Sequence, residues 1–311
     1  MQYHQGIAWR QLKAWSALSR ISFHPVGWLP FLLGHFLSFK YFSRFRWDIL
    51  GVSLLALVLI LIAVHYISEY FDYPEDAISF KLHHSKFSGG SRVLVSGLLP
   101  ADSAWIAGLI VLGAAIICGV FIVFVFKPGW LAIPLGVCGL ISGLFYSAPP
   151  LRWVNRGLGE LFVFFAYGWL TVASGFYLQA GALNPVIIRF SLPLAFSVVT
   201  VVIINEFADY EADRACGKRN LLVRFGKEWG AKLYLAFLLA AWLVFFVLWF
   251  SRFNAVLFIL SLPILAVAIY AAKKVVSGVY KDTAELEKVC LATILANLGM
   301  NILLFGFAVY L

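Results

Sequence analysis

The sequence contains little charge, and negative charge is especially scarce. Only 13% of the 311 residues are charged, 62% are hydrophobic, and just 15 are acidic. A chain with this balance cannot present the charged surface of a soluble domain, so the composition indicates a polytopic membrane protein. The polar stretches between the apolar runs are too short to fold as a separate soluble domain.

Cysteine is also scarce, and its placement argues against two further kinds of site. No Cys-x-x-Cys pair occurs, so neither a zinc site nor a disulfide framework is indicated. The four cysteines are Cys118, Cys138, Cys216 and Cys290. The adjacent His83 and His84 would point apart on a helix or a strand, so we expect a loop pair that faces water rather than a metal site.

Apolar runs, in contrast, are abundant and long enough to cross about 30 Å of hydrocarbon. We predict nine spans, near residues 22–43, 49–71, 104–126, 130–147, 158–180, 185–208, 233–250, 254–272 and 289–311. The first 20 residues are too polar and aromatic for a signal peptide, so the first span should remain in the mature protein. These features predict an all-α integral membrane protein with one polytopic domain over residues 1–311.

The basic residues predict how this domain is oriented. Lys and Arg favour cytoplasmic loops. With a cytoplasmic amino-terminal segment of about residues 1–21, most of the 24 basic residues lie inside. Those left outside are Lys40, Arg44, Arg46, Lys127, Arg189 and Arg252. We expect an inner or plasma membrane location, with pseudo-repeat halves at about 22–147 and 158–272 followed by the ninth span. The net charge of +9 is then mainly topological and requires no nucleic acid.

The few acidic residues are concentrated in one pattern that occurs twice. Glu-x-x-Asp-Tyr-x-x-Asp stands at residues 69–76 and again at residues 206–213, each time at the end of an apolar run. On a helix, carboxylates three and four residues apart share one face. Ionisable groups at membrane depth are costly and usually functional. Pro74 removes a helical hydrogen bond, so we expect the first copy to bend or to leave the helix there.

The chemistry of the two motifs favours a hard cation. Carboxylates one turn apart repel each other unless their proton affinities rise or a cation holds them together. Because the motifs offer oxygen ligands without His or Cys, they favour Mg²⁺, which substrate phosphate oxygens commonly complete. Two facing motifs would form a clamp for a diphosphate. The simpler alternative is a pair of interfacial helix ends neutralised by Lys and Arg, but recurrence at matching topological positions favours function.

Three loops on the same predicted face add to these motifs. Residues 87–92 (FSGGSR) contain paired glycines, which let the backbone approach a ligand, and end at Arg92. Residues 146–152 (YSAPPLR) form a rigid turn whose Arg152 suits phosphate or carboxylate. Residues 217–220 (GKRN) place two basic side chains beside the second motif, where we expect phosphate binding. Each loop also has a simpler explanation. The first can be a flexible turn, the second can be the stop of a helix, and the third can carry basic residues because of the membrane topology alone.

The chain resembles the UbiA superfamily of intramembrane prenyltransferases in three features. They are the nine spans, an acidic motif after the second and after the sixth span, and the Tyr-Ser-x-Pro-Pro-Leu-Arg turn after the fourth. Residues 205–226 (NEFADYEADRACGKRNLLVRFG) and 87–100 (FSGGSRVLVSGLLP) look especially like the 1,4-dihydroxy-2-naphthoate prenyltransferases of menaquinone synthesis. The resemblance implies a helical bundle with a central cavity. It also implies that Mg²⁺, as two ions, bridges a polyprenyl diphosphate to both motifs.

The resemblance also implies roles for individual residues. Metal binding and catalysis would fall to Asp72, Asp76, Asp209 and Asp213, with Arg152 as a further catalytic residue. Together with the loops above, the substrate-binding set is Ser68, Glu69, Tyr146, Asn205, Lys218, Arg219 and Arg92. Tyr146 would lie on the acceptor side. This chain has Ser68-Glu69 where the family's first motif commonly begins Asn-Asp, although a hydroxyl and a longer carboxylate still offer oxygen atoms.

The implied reaction joins an allylic cation to an electron-rich aromatic carbon, with release of CO₂ when the acceptor is a naphthoate. The expected partners are a polyprenyl diphosphate, an aromatic acceptor and membrane lipid. Other acceptors within the same fold are 4-hydroxybenzoate, a chlorin, homogentisate, haem and a glycerophosphate lipid. A multi-pass transporter is the alternative from another class, but the motifs adjoin basic loops rather than the membrane midplane.

Overall fold

The computed structural model of this chain describes residues 2–82, 89–251 and 254–310. Within these ranges the chain forms helices joined by short loops, and no strand is present. The predictions for the His83 and His84 pair, for Phe87 and Ser88, and for Arg252 concern residues outside these ranges.

Thirteen α-helices follow one another along the described chain. They are α1 (Gln2–Leu18), α2 (Pro25–Phe42), α3 (Trp47–Phe71), α4 (Tyr73–Leu82), α5 (Ala101–Phe121), α6 (Ala132–Ser147), α7 (Gly159–Val163), α8 (Thr171–Ala180), α9 (Val186–Ala215), α10 (Leu221–Phe225), α11 (Lys227–Ser251), α12 (Ala255–Val276) and α13 (Thr283–Val309). A π-helical stretch, Ile122–Phe126, extends α5, and another, Phe164–Leu170, joins α7 to α8.

Each of the nine predicted spans coincides with one helix or one such continuous segment. In the described residues, seven of these are long and apolar enough to cross a membrane, which confirms an integral membrane protein. The other two are α2, with 18 residues, and α6, with 16 residues. Helix α6 rises only about 24 Å at 1.5 Å per residue, so length and composition do not establish the count of nine.

The interior of the bundle is built around α9 and α13. In α9, 72% of the apolar stretch is buried, and in α13 67%, whereas the corresponding figure for the α5 segment is 11%. Large side chains such as Phe190, Phe245 and Leu304 join α9, α11 and α13 in one continuous core. Ile117 of α5 and Ile259 of α12 are instead exposed. Helices α5 and α12 therefore turn most of their surface to lipid.

The length of α9 places the second acidic motif at one end of the bundle. This helix has 30 residues, which rise about 45 Å at 1.5 Å per residue. The hydrocarbon core is only about 30 Å thick, so α9 is long enough to project past it. Because the motif occupies residues 206–213, close to the carboxyl end of α9, its carboxylates lie away from the middle of the helix.

Two glycines allow α2 and α8 to pack in close contact. A Cβ added at Gly34 would meet the carbonyl oxygen of Val172 and would lie 2.8 Å from the nitrogen of Phe176. A Cβ added at Gly175 would likewise meet the carbonyl oxygen of Phe31. Helix backbones come this close only where no side chain stands between them. The contact fixes α2 and α8, which form part of the wall of the cavity described below.

Gly34→Ala is expected to lower the stability of the protein, because the new methyl group meets backbone atoms that cannot rotate away. Overpacking of this kind costs about 1–3 kcal/mol, and contact with backbone favours the upper end. Thermal unfolding of the purified protein in detergent would show the change as a lower Tm. The matched control is Gly51→Ala in α3, where an added Cβ meets nothing within 4 Å. Equal Tm values for the two variants would contradict the prediction.

Candidate active site

One cavity of about 980 Å³ lies between α2, α3, α5, α6, the α7–α8 segment and α9. Most of its wall is apolar and includes Phe31, Leu57 and Leu140. At one end the wall is polar, and there it is lined by Ser68, Glu69, Asp72, Glu75, Asp76, Asn205, Glu206, Asp209 and Asp213. The expected central cavity is therefore confirmed, and the two acidic motifs meet in it.

The first motif bends at the point that its proline predicted. Asp72 caps the end of α3, and α4 begins at Tyr73. The amide of Asp72 still donates to the carbonyl of Ser68, at 2.8 Å. Pro74 stands in the first turn of α4, where a missing N–H group leaves no hydrogen bond unmade. Asp72 therefore lies at the end of one helix and Asp76 in the first turn of the next, and both line the cavity.

Glu69 is fully occupied by donors from elsewhere in the chain. Its Oε1 accepts hydrogen bonds from Nη2 of Arg20 at 2.6 Å and from the amide of Ser91 at 2.6 Å. Its Oε2 accepts from Oγ of Ser91 at 2.8 Å. The side chain is only 3% exposed. Glu69 thus lines the cavity but braces the loop around Ser91, and its oxygens are already paired.

Arg20 is a site residue that sequence reasoning missed. It follows α1, which is held against α3 by contacts of Ala14 and Leu18 with the cluster around Tyr66. Burial alone would lower the pKa of Arg20, but the neighbouring carboxylates, Glu69 first, outweigh burial and raise it. The guanidinium therefore stays charged and offsets part of the negative charge at this end of the cavity. Its only sequence signal was a basic residue on the predicted cytoplasmic side.

Asp76 lies in negative surroundings outside the spanning helices. Burial raises the pKa of Asp76 well above its usual value, and Glu69 and Asp72 raise it further. The backbone of Gly90 lies so close that an added Cβ would meet Oδ2 of Asp76. The positive φ of Gly90, 64°, also favours glycine. A carboxyl group in such surroundings must be compensated by a proton or by a cation.

Arg152 contacts the first motif from outside the cavity wall. Its Nη2 donates to Oε1 of Glu75 at 2.8 Å and to the carbonyl of Phe71 at 3.2 Å, and lies 3.6 Å from Oδ1 of Asp72. Oδ2 of Asp72 accepts a hydrogen bond from Oγ of Ser147 at 2.7 Å. Among the described residues, Arg152 is not part of the cavity lining. The structure therefore places it beside the acidic motif, behind Asp72.

Asp209 joins the second motif to the loop that follows the first. Its Oδ1 accepts hydrogen bonds from the amide of Gly89 at 2.9 Å and from Oγ of Ser79 at 3.3 Å. One turn earlier on α9, Asn205 lines the same cavity, and its buried Oδ1 has no hydrogen-bond partner among the residues that the structure describes. Because Glu206, Asp209 and Asp213 line the same cavity as Asn205, the predicted shared helix face is confirmed.

Two adjacent basic residues after α9 have different surroundings. Nζ of Lys218 lies 3.2 Å from Oδ1 of Asp213, whose Oδ2 accepts from Nδ2 of Asn220 at 2.9 Å. Burial would lower the pKa of Lys218, but Asp213 and Asp72 outweigh it, so the pKa lies well above the usual value. Arg219 is exposed and lines a shallow surface pocket, not the cavity. The structure thus brings Lys218 to the site and leaves Arg219 outside it.

The remaining predicted residues lie at the cavity. Ser68, Tyr146 and Arg92 all contribute to its wall. The guanidinium of Arg92 lies 6.0 Å from the ring centre of Phe80. Sequence reasoning did not single out the hydrogen-bonding residues that hold the carboxylates, namely Ser79, Ser91, Ser147 and Asn220. Ser91, Ser147 and Asn220 lie within the stretches quoted above, but serine and asparagine are too common for this role to be recognised without the fold.

The donor set at the acidic end fits a hard cation. Every candidate ligand is an oxygen atom, and within the described residues Oδ1 of Asn205 and Oδ1 of Asp72 are both buried without a hydrogen bond. In the part of the chain that the structure describes, no three His, Cys, Asp or Glu side chains are already gathered around one point. Mg²⁺ fits such a site, because it keeps several waters and needs only one or two carboxylates together with substrate oxygens.

The fold and the site define an intramembrane protein that can enclose an apolar chain and hold a charged head group at one end. The chain belongs to the UbiA prenyltransferase family, whose sequence profile matches residues 27–302. It is therefore a member of a family of transferase enzymes.

Three relatives from bacteria have names that concern naphthoate or naphthoquinone substrates. The chain is 28% identical over 212 residues to a 1,4-dihydroxy-2-naphthoate octaprenyltransferase of Bacillus subtilis. The aligned region covers 68% of this chain and 65% of the relative. The chain is 35% identical over 136 residues to the protein of that name in Escherichia coli, covering 42% of this chain and 44% of the relative. A 2-carboxy-1,4-naphthoquinone phytyltransferase of Synechocystis is 23% identical, with 71% of this chain and 69% of the relative covered.

Solved structures share the fold at lower identity. A UbiA homologue from Archaeoglobus fulgidus bound to GPP and Mg²⁺ has a TM-score of 0.61 at 18% identity, with 95% of this chain and 99% of that chain covered. The apo structure of a UbiA homologue from Aeropyrum pernix has a TM-score of 0.66 at 18% identity, with 92% and 97% covered. At these identities the likeness concerns the fold.

Proposed function

We propose that this protein transfers a polyprenyl group from a polyprenyl diphosphate to 1,4-dihydroxy-2-naphthoate, with Mg²⁺, in menaquinone biosynthesis. The observation that carries the proposal is the cavity itself, which is acidic and oxygen-rich at one end and apolar over the rest of its wall. The relatives named for naphthoate prenyl transfer support the choice of acceptor, and the GPP-bound and Mg²⁺-bound homologue supports the choice of donor.

The two parts of the cavity suit the two parts of the donor. A prenyl chain placed along Phe31, Leu57 and Leu140 would be removed from water, and each buried methylene group stabilises binding by about 0.8 kcal/mol. The diphosphate would then lie at the acidic end. This polarity fixes the direction in which the donor binds, with its reactive carbon between the two parts.

The acidic end would hold the diphosphate through cations and one lysine. We propose that Asp72, Asp76, Asp209 and Asp213 hold two Mg²⁺ ions, which supply positive charge to the leaving group when bound. Lys218 already lies at this end, and it would direct a further charge to the diphosphate. Arg152 would act on Asp72 rather than on the substrate, because it stands behind the motif.

The apolar wall would protect the allylic cation that forms when the diphosphate leaves. Aromatic faces stabilise a neighbouring cation, and Tyr146 and Tyr167 both line the cavity. Exclusion of water prevents hydrolysis of the reactive intermediate. The electron-rich ring of the acceptor would attack this carbon, and the carboxylate of a naphthoate would leave as CO₂.

We further propose that all nine helical segments cross an inner or plasma membrane and that the acidic end of the cavity faces the cytoplasm. The excess of basic residues in the segments on that side supports this orientation. The charged head of the donor would then enter from the aqueous side, and the prenyl chain would extend toward the middle of the bilayer.

Product formation by the purified protein in detergent tests the proposed function. Assays contain Mg²⁺, radiolabelled polyprenyl diphosphate and either 1,4-dihydroxy-2-naphthoate, 4-hydroxybenzoate, homogentisate or a glycerophosphate lipid, with EDTA as the metal-free control. We expect a prenylated naphthol product and CO₂ only with the naphthoate and only with Mg²⁺. Product with another acceptor alone would overturn the choice of acceptor. Folded protein that releases no diphosphate with any acceptor would overturn prenyl transfer itself.

A further inference from the structure

The two glutamates that open the acidic motifs have different surroundings. Glu69 is saturated by Arg20 and Ser91. Glu206 lines the cavity at the equivalent position of the second motif and is only 8% exposed, yet among the described residues no N–H or hydroxyl group donates to either of its carboxyl oxygens. A buried carboxyl group without a donor is costly unless a ligand or a proton compensates it. One of the two equivalent positions is thus braced, and the other is open toward the cavity.

A second buried carboxyl group stands behind Glu206. Glu160 of α7 is 3% exposed and lies against Glu206. Its Oε1 accepts a hydrogen bond from the amide of Leu221 at 2.8 Å, and its Oε2 has no hydrogen-bond partner in the described part of the chain. Glu160 does not itself line the cavity. Glu206 thus faces a second buried carboxyl group, and two such groups repel each other when both are charged.

The position of Glu206 along α9 sets what it can reach. It precedes Asp209 by three residues, which rise about 4.5 Å along the axis, in the direction away from Asp213 and the carboxyl end of α9. A donor whose diphosphate lies beside Asp209 and Asp213 would therefore bring its reactive carbon to the depth of Glu206. Tyr146 lies close to the same carboxyl pair and also lines the cavity. An acceptor that attacks the reactive carbon must be bound at this depth.

We propose that Glu206, backed by Glu160, is the acceptor-side base of this enzyme, which receives a hydroxyl group of the acceptor and holds its proton during transfer. This inference rests on the proposed prenyl transfer. Glu206 is then a catalytic residue that contacts the substrate. Glu160 is a positioning residue, since it acts through Glu206.

The proposed step balances without another reactant. The hydroxyl proton passes to the carboxyl pair, and the electron pair of the oxygen is delocalised into the ring, whose carbon forms a bond to the allylic carbon. The bond from that carbon to the diphosphate oxygen breaks, and its electron pair leaves with the diphosphate. When CO₂ departs from the ring carbon, its bonding electrons restore the aromatic ring. The oxygen then regains its proton from Glu206, so no proton is consumed.

The test compares an acceptor that has both hydroxyl groups with acceptors in which one is blocked. The probes are 1,4-dihydroxy-2-naphthoate and its 1-methoxy and 4-methoxy derivatives. In the unmodified protein, we expect the 1-methoxy derivative to lose about 100-fold or more in kcat/KM, because a polar site rejects an analogue that lacks its hydrogen bond, and only the 1-oxygen is conjugated with the ring carbon that loses CO₂. In Glu206→Gln, kcat should fall about 100-fold, as expected for a lost acid–base group. The preference for hydroxyl over methoxy should shrink to a few-fold.

Three controls separate this role from a structural one. Glu211→Gln changes an exposed glutamate of the same helix that pairs with Lys227, and should leave the rates and the preference unchanged. Mg²⁺-dependent binding of geranyl diphosphate should stay within about twofold in Glu206→Gln, because the donor does not contact that residue. If Glu206→Gln does not fold, Glu206→Asp replaces it. That variant retains the carboxyl group, and should therefore retain the preference with a rate about tenfold lower.

The outcomes distinguish this inference from the proposed function. Product formation with an unchanged rate and an unchanged hydroxyl preference in Glu206→Gln would overturn the inference and leave prenyl transfer standing. The inference would also be overturned if Glu206→Asp showed the same rate and the same hydroxyl preference as the unmodified protein. If the unmodified protein forms no product, equilibrium dialysis measures how tightly it and Glu206→Gln bind the three labelled naphthoates, and the affinities test the inference. The inference is supported if the unmodified protein binds the hydroxyl form more tightly than a methoxy form and Glu206→Gln does not. It is overturned if the unmodified protein binds all three naphthoates with equal affinity.

Discussion

Asp209→Asn is expected to reduce kcat/KM for prenyl transfer by about a thousandfold, the scale of losing one preorganised electrostatic contact in a dry site. Asp209 lines the cavity beside Asp213 and accepts hydrogen bonds from Gly89 and Ser79. Asparagine has the same shape, and its carbonyl oxygen can still accept those bonds. The substitution therefore removes a negative charge that would hold the cation, while it leaves the loop contacts in place.

Initial rates at a series of Mg²⁺ concentrations measure this effect. We expect the variant to need more Mg²⁺ and to remain slower at saturating Mg²⁺. Glu211→Gln is the matched control, since Glu211 lies two residues further along α9 and pairs at the surface with Lys227. A variant that retains more than about a tenth of the rate, with an unchanged Mg²⁺ dependence, would exclude Asp209 as a metal ligand.

Lys218→Met is expected to lower kcat/KM by about a hundredfold, because it removes a positive charge from the diphosphate end of the cavity. Lys218 is 13% exposed and lies 3.2 Å from Asp213. Its loss removes the cation that lies beside the buried Asp213 carboxylate, which still accepts a hydrogen bond from the side-chain amide of Asn220. Removing one member of a buried charge pair costs about 3–5 kcal/mol, so the Tm should fall as well.

Arg219→Met provides the matched control, since it removes the same charge from the adjacent residue. Arg219 is exposed and does not line the cavity. Its replacement should therefore leave the rate and the Tm close to those of the unmodified protein, and Lys218→Arg should restore part of the lost rate. Steady-state assays at varied donor concentration, together with thermal unfolding, measure both effects. Similar losses in Lys218→Met and Arg219→Met would show that bulk charge, rather than the Lys218 contact, matters.

Much of the fold was predictable, because apolar length and helical spacing are local properties. Each predicted span coincides with a helix or a continuous helical segment. The bend at Pro74 was predicted from the loss of one backbone hydrogen bond. The transmembrane character of α2 and α6 stays a prediction, since α6 has only 16 residues and its place among longer neighbours is a property of the bundle.

The site was predictable in its chemistry but not in its detailed arrangement. The motif residues gather at one end of one cavity, as the repeat predicted. Arg152 was expected at the substrate, and instead the structure places it behind Asp72. Arg20 gave no recognisable signal, because its contact with Glu69 joins residues 49 positions apart. The metal and substrate roles of these residues remain proposals.

The sequence by itself determined that this chain is a helical membrane protein with two oxygen-rich acidic motifs. Composition, apolar length and the spacing of carboxylates on a helix are sufficient for that, since each depends only on neighbouring residues. The tertiary structure alone decided that Glu69 is braced while Glu206 is open, and that Lys218 rather than Arg219 faces the cavity. Those distinctions depend on which distant donors and carboxylates are brought together when the helices pack, and similar local sequences do not encode them separately.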